Sequence, residues 1–193
     1  MRVLVLHAHP VETSFNRAIY TTALEALKQA GHEVDALNLY DEAFQAVMSR
    51  EERLIYHDVA QNLTPAVKPY VDRVLAAEGV VIIHPVWNYG YPAILKGFFD
   101  RIFIPGVSFV LEDGNLRTVM RKKRVAYITS YGGDRFRTWL MGDPPRRLAR
   151  RWAWATFGTL FPPTYLALYT MDKRTETELR AFLDKVRRVL GRF

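Results

Sequence analysis

Short runs of aliphatic residues alternate along the chain with longer segments in which apolar residues recur every three or four positions. A short aliphatic run is typical of a buried strand, and the longer spacing is typical of an amphipathic helix. Strands are predicted from Val3 onward and at 34–39, 80–83, 125–129 and 164–170. Because helices are predicted between the five strands, the pattern indicates an α/β fold with a doubly wound, mostly parallel sheet.

Capping residues predict where several helices begin and end. Helix starts are predicted at the capping boxes Ser49/Glu52 and Thr175/Glu178, at Thr64–Pro65 and at Asp143. Gly31 and Gly158 stand where helices end. The helix that begins at Asp143 has Leu148 and Trp152 on its expected apolar stripe.

The length and composition are those of a single globular domain. With 193 residues, 49% of them hydrophobic, one core can bury about 70% of the unfolded surface, so we expect one domain over residues 1–193. No apolar run of about 18 residues and no signal-peptide pattern occurs, which predicts a cytoplasmic protein without stable membrane insertion. The absence of cysteine excludes disulfides, thiolate nucleophiles and zinc-cysteine sites, so any redox chemistry must come from a bound cofactor. No metal site is predicted.

Positive charge is concentrated in two clusters, at 121–124 and 146–151, in a chain of net charge +7. Such clusters bind nucleic acid, anionic lipid or the extra phosphate of NADP, or they form a solvated basic face. Neither cluster has the interleaved aromatic residues or the motif of a nucleic-acid-binding protein, so no nucleic-acid partner is predicted.

Polar loops follow the first, third and fourth predicted strands, and they should line one pocket because the carboxyl ends of parallel strands meet at one edge of the sheet. In the first loop, Thr13, Ser14 and Asn16 lie at a helix start, where free N–H groups favour a phosphate, and His9 could donate to the same group. The alternative is that Thr13 or Ser14 only caps the helix. His7, inside the strand, is predicted to be a packed core residue.

The other two loops suit a flat ring. Trp87 and Tyr89, in the loop 85–89, offer aromatic surfaces and backbone amides, as an isoalloxazine ring requires, although they could also be core residues. Gly132 and Gly133 allow a ligand to approach the backbone closely, or they form a simple turn.

Three segments of the chain together resemble the flavodoxin-like NAD(P)H quinone oxidoreductases, a family that includes DT-diaphorase-like enzymes and ancillary subunits of potassium-efflux systems. The segments are 9–16, which contains TSFN, 84–103, which reads HPVWNYGYPAILKGFFDRIF, and the Gly-Gly turn at 130–133. The resemblance covers nearly the whole chain in order. It implies a flavodoxin-like sheet in strand order 2-1-3-4-5, tightly bound FMN or FAD, NAD(P)H as co-substrate, and a quinone-like acceptor.

The same resemblance assigns the flavin-binding residues. It implies that the flavin phosphate and ribityl chain are bound by His9, Thr13, Ser14, Phe15 and Asn16. The ring is implied to bind Pro85, Val86, Trp87, Asn88 and Tyr89, with the amide near Asn88 facing N5. Its pyrimidine edge is implied to bind Ser130, Gly132 and Gly133. Asn88, Tyr89, Gly132 and Gly133 are the residues implied in catalysis, by hydride transfer through flavin N5.

The chain departs from the family after the Gly-Gly turn, where well-studied members have a Tyr and a His that handle charge and protons. No histidine follows His84, and Arg135 or Arg137 is a candidate replacement. The resemblance also implies a homodimer, with an interface that we predict at Trp152, Trp154, Phe157 and Phe161. The alternative function is a regulatory flavin-binding subunit of a membrane transporter, which would use those aromatic residues and the basic face for docking.

Overall fold

The computed structural model describes residues 1–120, 122–159 and 162–193. The elements in chain order are β1 (Arg2–His7), α1 (Phe15–Gln29), β2 (Glu33–Asn38), α2 (Arg50–Leu54), α3 (Lys68–Ala76), β3 (Gly79–Val86), α4 (Ala93–Ile102), β4 (Phe109–Glu112), β5 (Asn115–Thr118), β6 (Arg124–Tyr131), α5 (Arg135–Leu140), α6 (Pro144–Phe157), β7 (Thr164–Leu168), a 3-10 helix (Met171–Lys173) and α7 (Glu176–Leu190).

Five parallel strands form the main sheet in the order β2-β1-β3-β6-β7. With β6 and β7 as its fourth and fifth strands, the sheet has the predicted doubly wound order. Alternate strand residues enter two cores: Leu4 and Leu6 pack with α3, α4 and α6, whereas Val3 and Val5 pack with α1 and α7. Burial on both faces explains why the strand sequences are almost continuously aliphatic.

The central strands β3 and β6 are longer than predicted, so Pro85, Val86 and Ser130 lie in strands and not in loops. Proline is tolerated in β3 because of where β1 stops. The carbonyl of Ile83 accepts the last hydrogen bond from β1's side, from the N–H of Ala8 at 3.1 Å. Residues two apart in a strand face the same side, so Pro85 faces the side on which β1 has ended and no ladder hydrogen bond is lost.

The β4–β5 hairpin and helix α5 were not predicted. β4 and β5 form an antiparallel hairpin, joined by Asp113 and Gly114 with φ of 50° and 78°, the left-handed pair that a tight hairpin turn requires. Asp134 does not continue a turn but begins α5, since its side chain accepts from the N–H of Arg137 at 2.8 Å.

Helix α4 supports the long segment between β2 and α3. A Cβ on Gly97 would lie 2.1 Å from the carbonyl oxygen of Ala46, so only glycine allows this approach. Arg101, four residues on, is buried and donates from Nε to Oε2 of Glu52 at 3.1 Å. Glu52 also completes the predicted capping box of α2 with Ser49. Part of the LKGFFDR sequence therefore serves packing.

Several helix predictions need correction. α3 begins at Lys68, because the Thr64 carbonyl closes a separate turn with the N–H groups of Val67 and Lys68. Leu148 is 44% exposed, and the core face of α6 consists instead of Ala149, Ala153 and Phe157. The predicted end at Gly158, with φ of 57°, and the capping box that begins α7 are confirmed.

The predicted dimer interface is also partly wrong. Phe157 is fully buried and belongs to the core of one chain, whereas Trp152 stacks on Phe99 with ring centroids 4.2 Å apart and stays partly exposed. Trp154 is 68% exposed, and Phe161 lies outside the described residues. None of the helices that the structure describes is long and apolar enough to cross a membrane.

Candidate cofactor site

The loops after β1, β3 and β6 meet at the carboxyl edge of the sheet. The rings of His9 and Trp87 have centroids 6.0 Å apart, which brings the first loop against the second. Asn16 donates from Nδ2 to Oγ of Ser130 at 3.4 Å, which joins the start of α1 to the end of β6. The crevice lies where the chain order in the sheet reverses, the usual ligand position in such folds.

The start of α1 keeps free donors. Oγ of Ser14 accepts from the N–H of Arg17 at 3.1 Å, so Ser14 does cap the helix. The N–H groups of Phe15 and Asn16 have no acceptor among the described residues. The ring of Phe15 packs on Phe182. Phe15 therefore offers a ligand its backbone N–H and not its ring. Thr13, two residues earlier, is exposed.

Asn16 is 3% exposed, and its Oδ1 has no donor among the described groups. A buried acceptor without a partner is costly, since the desolvation of the group is not compensated. This oxygen and the two free amides form a polar cluster that a ligand with both acceptors and hydroxyl donors would satisfy.

The two histidines of the first segment differ. Nδ1 of His9 accepts from the N–H of Val11 at 3.1 Å, which leaves Nε2 to donate to a ligand, and partial burial lowers the pKa of His9. His7 is fully buried and stacks on Tyr20 with centroids 4.6 Å apart. Burial lowers the pKa of His7 to about 4, so it is neutral, and its prediction as a packed residue is confirmed.

The second loop is a tight turn between Trp87 and Gly90, which exchange two backbone hydrogen bonds of 3.3 and 2.9 Å. Asn88 and Tyr89 both have positive φ, 48° and 56°, a conformation that costs free energy in residues other than glycine. Their N–H groups have no acceptor among the described residues. Trp87 and Tyr89 are each 41% exposed, so the alternative that they are core residues is wrong.

In the third loop, Gly132 and Gly133 are exposed and their N–H groups have no acceptor among the described residues. Neither glycine is required by the protein itself. A Cβ on Gly133 would meet Oγ1 of Thr138 at 3.8 Å, an ordinary contact, and one on Gly132 would meet Oδ2 of Asp172 at 3.4 Å. The protein therefore tolerates a methyl group at either position, and both amides remain without an acceptor among the described residues.

A buried polar network lies beneath the third loop and was not predicted. The hydroxyl of Tyr131 lies 2.5 Å from that of Tyr165 and 3.4 Å from Oδ1 of Asp143, which forms an ion pair with Arg146 at 2.9 Å. Burial raises the pKa of Tyr131 far above its ordinary value, so this hydroxyl stays protonated. No periodicity in the sequence signals the network, because it joins β6, β7 and α6.

The proposed replacement of the missing histidine by an arginine stays a prediction. Arg135 is exposed, and the exposed side chain of Arg137 forms an ion pair with Asp134 at 3.4 Å. Both residues lie on α5, directly after the third loop.

A doubly wound parallel sheet of this order, with three polar loops at its carboxyl edge, defines a flavodoxin-like α/β protein. A sequence profile of the family described as having a flavodoxin-like fold matches residues 1–187, and the chain belongs to this family.

The similar proteins include quinone oxidoreductases. The chain is 33% identical over 150 residues to rat NAD(P)H dehydrogenase (quinone) 1, covering 69% of this chain and 54% of that protein. It is 32% identical over 104 residues to an FMN-dependent NADH:quinone oxidoreductase of Coprothermobacter proteolyticus, covering 53% and 51%. The solved NAD(P)H:quinone oxidoreductase of Methanothermobacter marburgensis is 26% identical, with coverages of 99% and 96% and a TM-score of 0.83. The chain thus spans about half the length of these two curated relatives.

Proposed function

We propose that the protein is a flavin-dependent NAD(P)H oxidoreductase that transfers two electrons to quinones or similar flat acceptors. One observation carries the proposal: free backbone N–H groups of three loops are gathered at the carboxyl edge of one sheet. They belong to Phe15, Asn16, Asn88, Tyr89, Gly132 and Gly133. The quinone oxidoreductases among the relatives support the same function.

The residues present fit a flavin. The start of α1 offers two N–H groups and a helix dipole to a phosphate, and Nε2 of His9 is a further donor. The unsatisfied Oδ1 of Asn16 would accept from a ribityl hydroxyl. The exposed face of Trp87 beside His9 provides a flat apolar surface for a ring.

A bound flavin would supply hydride transfer through N5 between a nicotinamide and the acceptor. The chain's own contribution is binding and orientation. Asn88 and Tyr89 would hold the ring on its N5 side, and Ser130, Gly132 and Gly133 would hold its pyrimidine edge. Because the turn fixes these amides before any ligand binds, they stabilise developing negative charge without reorganisation. The exposed aromatic surface of Tyr89 would receive the nicotinamide and the acceptor in succession.

FMN is favoured over FAD, since one of the relatives is named an FMN-dependent enzyme. Heat release from the purified protein and mass measurement of the released compound identify the cofactor. We expect FMN, and release of FAD would correct this assignment while leaving the flavin function intact.

Two measurements in sequence test the function. Titration with FMN and FAD should show quenching of flavin fluorescence, and the loaded protein should then oxidise NADH or NADPH when menadione is added. Absence of binding by both flavins contradicts the proposal. Binding without turnover would favour the regulatory subunit, for which no relative named here gives support.

We also propose a homodimer, formed through a cleft along α4, α6 and the β4–β5 hairpin. The cleft has a volume of about 490 Å³ and is lined by apolar residues that include Phe103, Phe109, Leu116, Leu148 and Trp152. Open apolar surface of this kind usually marks an interface. Sedimentation at micromolar concentration should give twice the chain mass, and Leu116→Glu should give the single chain; a wild-type monomer would contradict the dimer.

A further inference from the structure

Helix α5 presents apolar side chains to solvent. Phe136, Trp139, Leu140 and Met141 are 68%, 68%, 69% and 55% exposed, and the one buried side chain of the helix is Thr138. Scattered exposed apolar residues are common, but a contiguous group of this size marks an interaction site.

The exposure belongs to an ordered helix. Asp134 caps the first turn of α5, and Oγ1 of Thr138 donates to the carbonyl of Asp134 at 2.8 Å. Phe136 and Trp139 also contact each other, with ring centroids 6.1 Å apart. The helix is thus anchored by its polar side, and the apolar side chains remain outside.

Positive charge surrounds this apolar group. Between 134 and 154 the chain has six arginines and two aspartates, and both aspartates are engaged, Asp134 with Arg137 and Asp143 with Arg146. Arg135, Arg147, Arg150 and Arg151 form no ion pair with any carboxylate that the structure describes. Met141, Arg147 and Arg151 line one shallow depression, so the apolar and cationic groups are contiguous. We call Phe136, Trp139, Leu140, Met141, Arg147 and Arg151 the α5–α6 face.

The positive charge of the α5–α6 face indicates which kind of partner it binds. A second copy of this chain would bring two positively charged patches together, because a two-fold interface uses the same patch on both subunits. An anionic bilayer offers phosphates to the guanidinium groups and an apolar boundary to Trp139 and Phe136, which suit the interfacial depth. We propose that the α5–α6 face docks the protein reversibly on the surface of an anionic phospholipid bilayer.

This docking would place the crevice beside the bilayer, since α5 directly follows Gly132 and Gly133. A lipophilic acceptor could then pass between the membrane and the site. That consequence rests on the proposed function, whereas the docking itself does not.

Sedimentation of the full chain with vesicles tests the proposal. We expect binding to phosphatidylcholine vesicles that contain about 25% phosphatidylglycerol, no binding to pure phosphatidylcholine, and release as ionic strength rises. Arg147→Gln with Arg151→Gln should weaken the binding at least about tenfold, and Phe136→Ser with Trp139→Ser should do so as well. Circular dichroism and the unfolding midpoint establish that each variant is folded.

The matched control is Lys185→Gln with Arg188→Gln, which removes the same charge from exposed positions of α7 on the opposite side of the sheet. It should bind nearly as the parent does. An equal loss in this control, equal binding to both vesicle types, or loss of self-association instead of vesicle binding in the arginine variant would overturn the proposal. Flavin titration of the same variants stays independent, so failure of docking and failure of the proposed function are distinguishable.

Discussion

At the scale of single residues, the side-chain amide of Asn16 has one hydrogen-bonded atom and one atom without a partner among the described groups. Its Nδ2 bonds Ser130, whereas its buried Oδ1 has no donor among the described groups. We expect Asn16→Ala to weaken flavin binding by about 1 to 3 kcal/mol, because a hydrogen bond to the ligand is lost. Fluorescence titration measures this affinity. Thr22→Ala, a buried polar change on the same helix, should leave affinity unchanged; an equal loss in both variants would reduce Asn16 to a packing role.

A substitution at Gly133 should affect ligand affinity without affecting stability. Alanine there has room, with its nearest contact at 3.8 Å, and the backbone does not have the left-handed conformation that favours glycine. We expect Gly133→Ala to leave the unfolding midpoint of the flavin-free protein nearly unchanged. If the ring binds as proposed, flavin affinity should fall about tenfold or more, because the methyl group would stand where the ring approaches the amide. Unchanged affinity would leave Gly133 as part of a simple turn.

Residue identity predicted where some residues of the candidate site lie. His7 lies inside an aliphatic run, which indicates burial, and Trp87 follows the end of one, which indicates an edge. Tyr131 could not be interpreted in the same way. Its contacts with Tyr165 and Asp143 depend on the register of β7 and on the start of α6, and both are set by tertiary packing.

At the scale of elements, helix α4 packs closely at Gly97 against the segment between β2 and α3. We expect Gly97→Ala to lower the free energy of unfolding by about 1 to 3 kcal/mol or more, because the methyl group would clash with the Ala46 carbonyl. Urea unfolding measures the loss. Lys96→Ala, at an exposed position of the same helix, is the control and should change stability by less than about 0.5 kcal/mol. Similar losses in both variants would mean that the contact is not selective.

The spacing of apolar residues predicted the parallel strands and most helices, because the side chains that an element buries in the core recur with the period of that element. The same spacing did not predict the β4–β5 hairpin or helix α5, which have mostly exposed side chains. The hairpin β4–β5 lies on the surface with mostly exposed side chains, so its signal is the Asp113–Gly114 turn. Helix α5 reverses the usual pattern, with its apolar residues exposed, and hydrophobic spacing therefore gave no reliable guide.

At the scale of the whole molecule, two buried histidines make stability depend on pH. Burial lowers the pKa of His7 and of His84 from 6.5 to about 4. Between these values the unfolded chain binds more protons than the folded chain, so the free energy of unfolding should fall as pH decreases from 6.5 to 4. Each histidine contributes up to about 3 kcal/mol over that range, and the full stability is present above pH 6.5.

Urea unfolding at several pH values, with His84→Gln alongside the parent, measures this dependence. The variant should lose less stability on acidification, because one titrating group has been removed. Nδ1 of His84 donates to the carbonyl of Pro85 at 2.9 Å, and the glutamine amide retains a donor for that carbonyl. Parallel stability curves for the two proteins would exclude His84 as a source of the acid sensitivity.

Pro85 limits how far the sheet can close. A residue with an N–H at this position would offer a donor to the chain beyond Ala8, and β1 could then lengthen beside β3. One further ladder hydrogen bond, from residue 85 to the carbonyl of Ala8, would then be possible. Since proline lacks the donor, the ladder between β1 and β3 has no such bond beyond the hydrogen bond from Ala8 to Ile83. Pro85 thus removes one donor from the edge of the sheet at which the three loops meet, and Pro10 on the facing segment removes another.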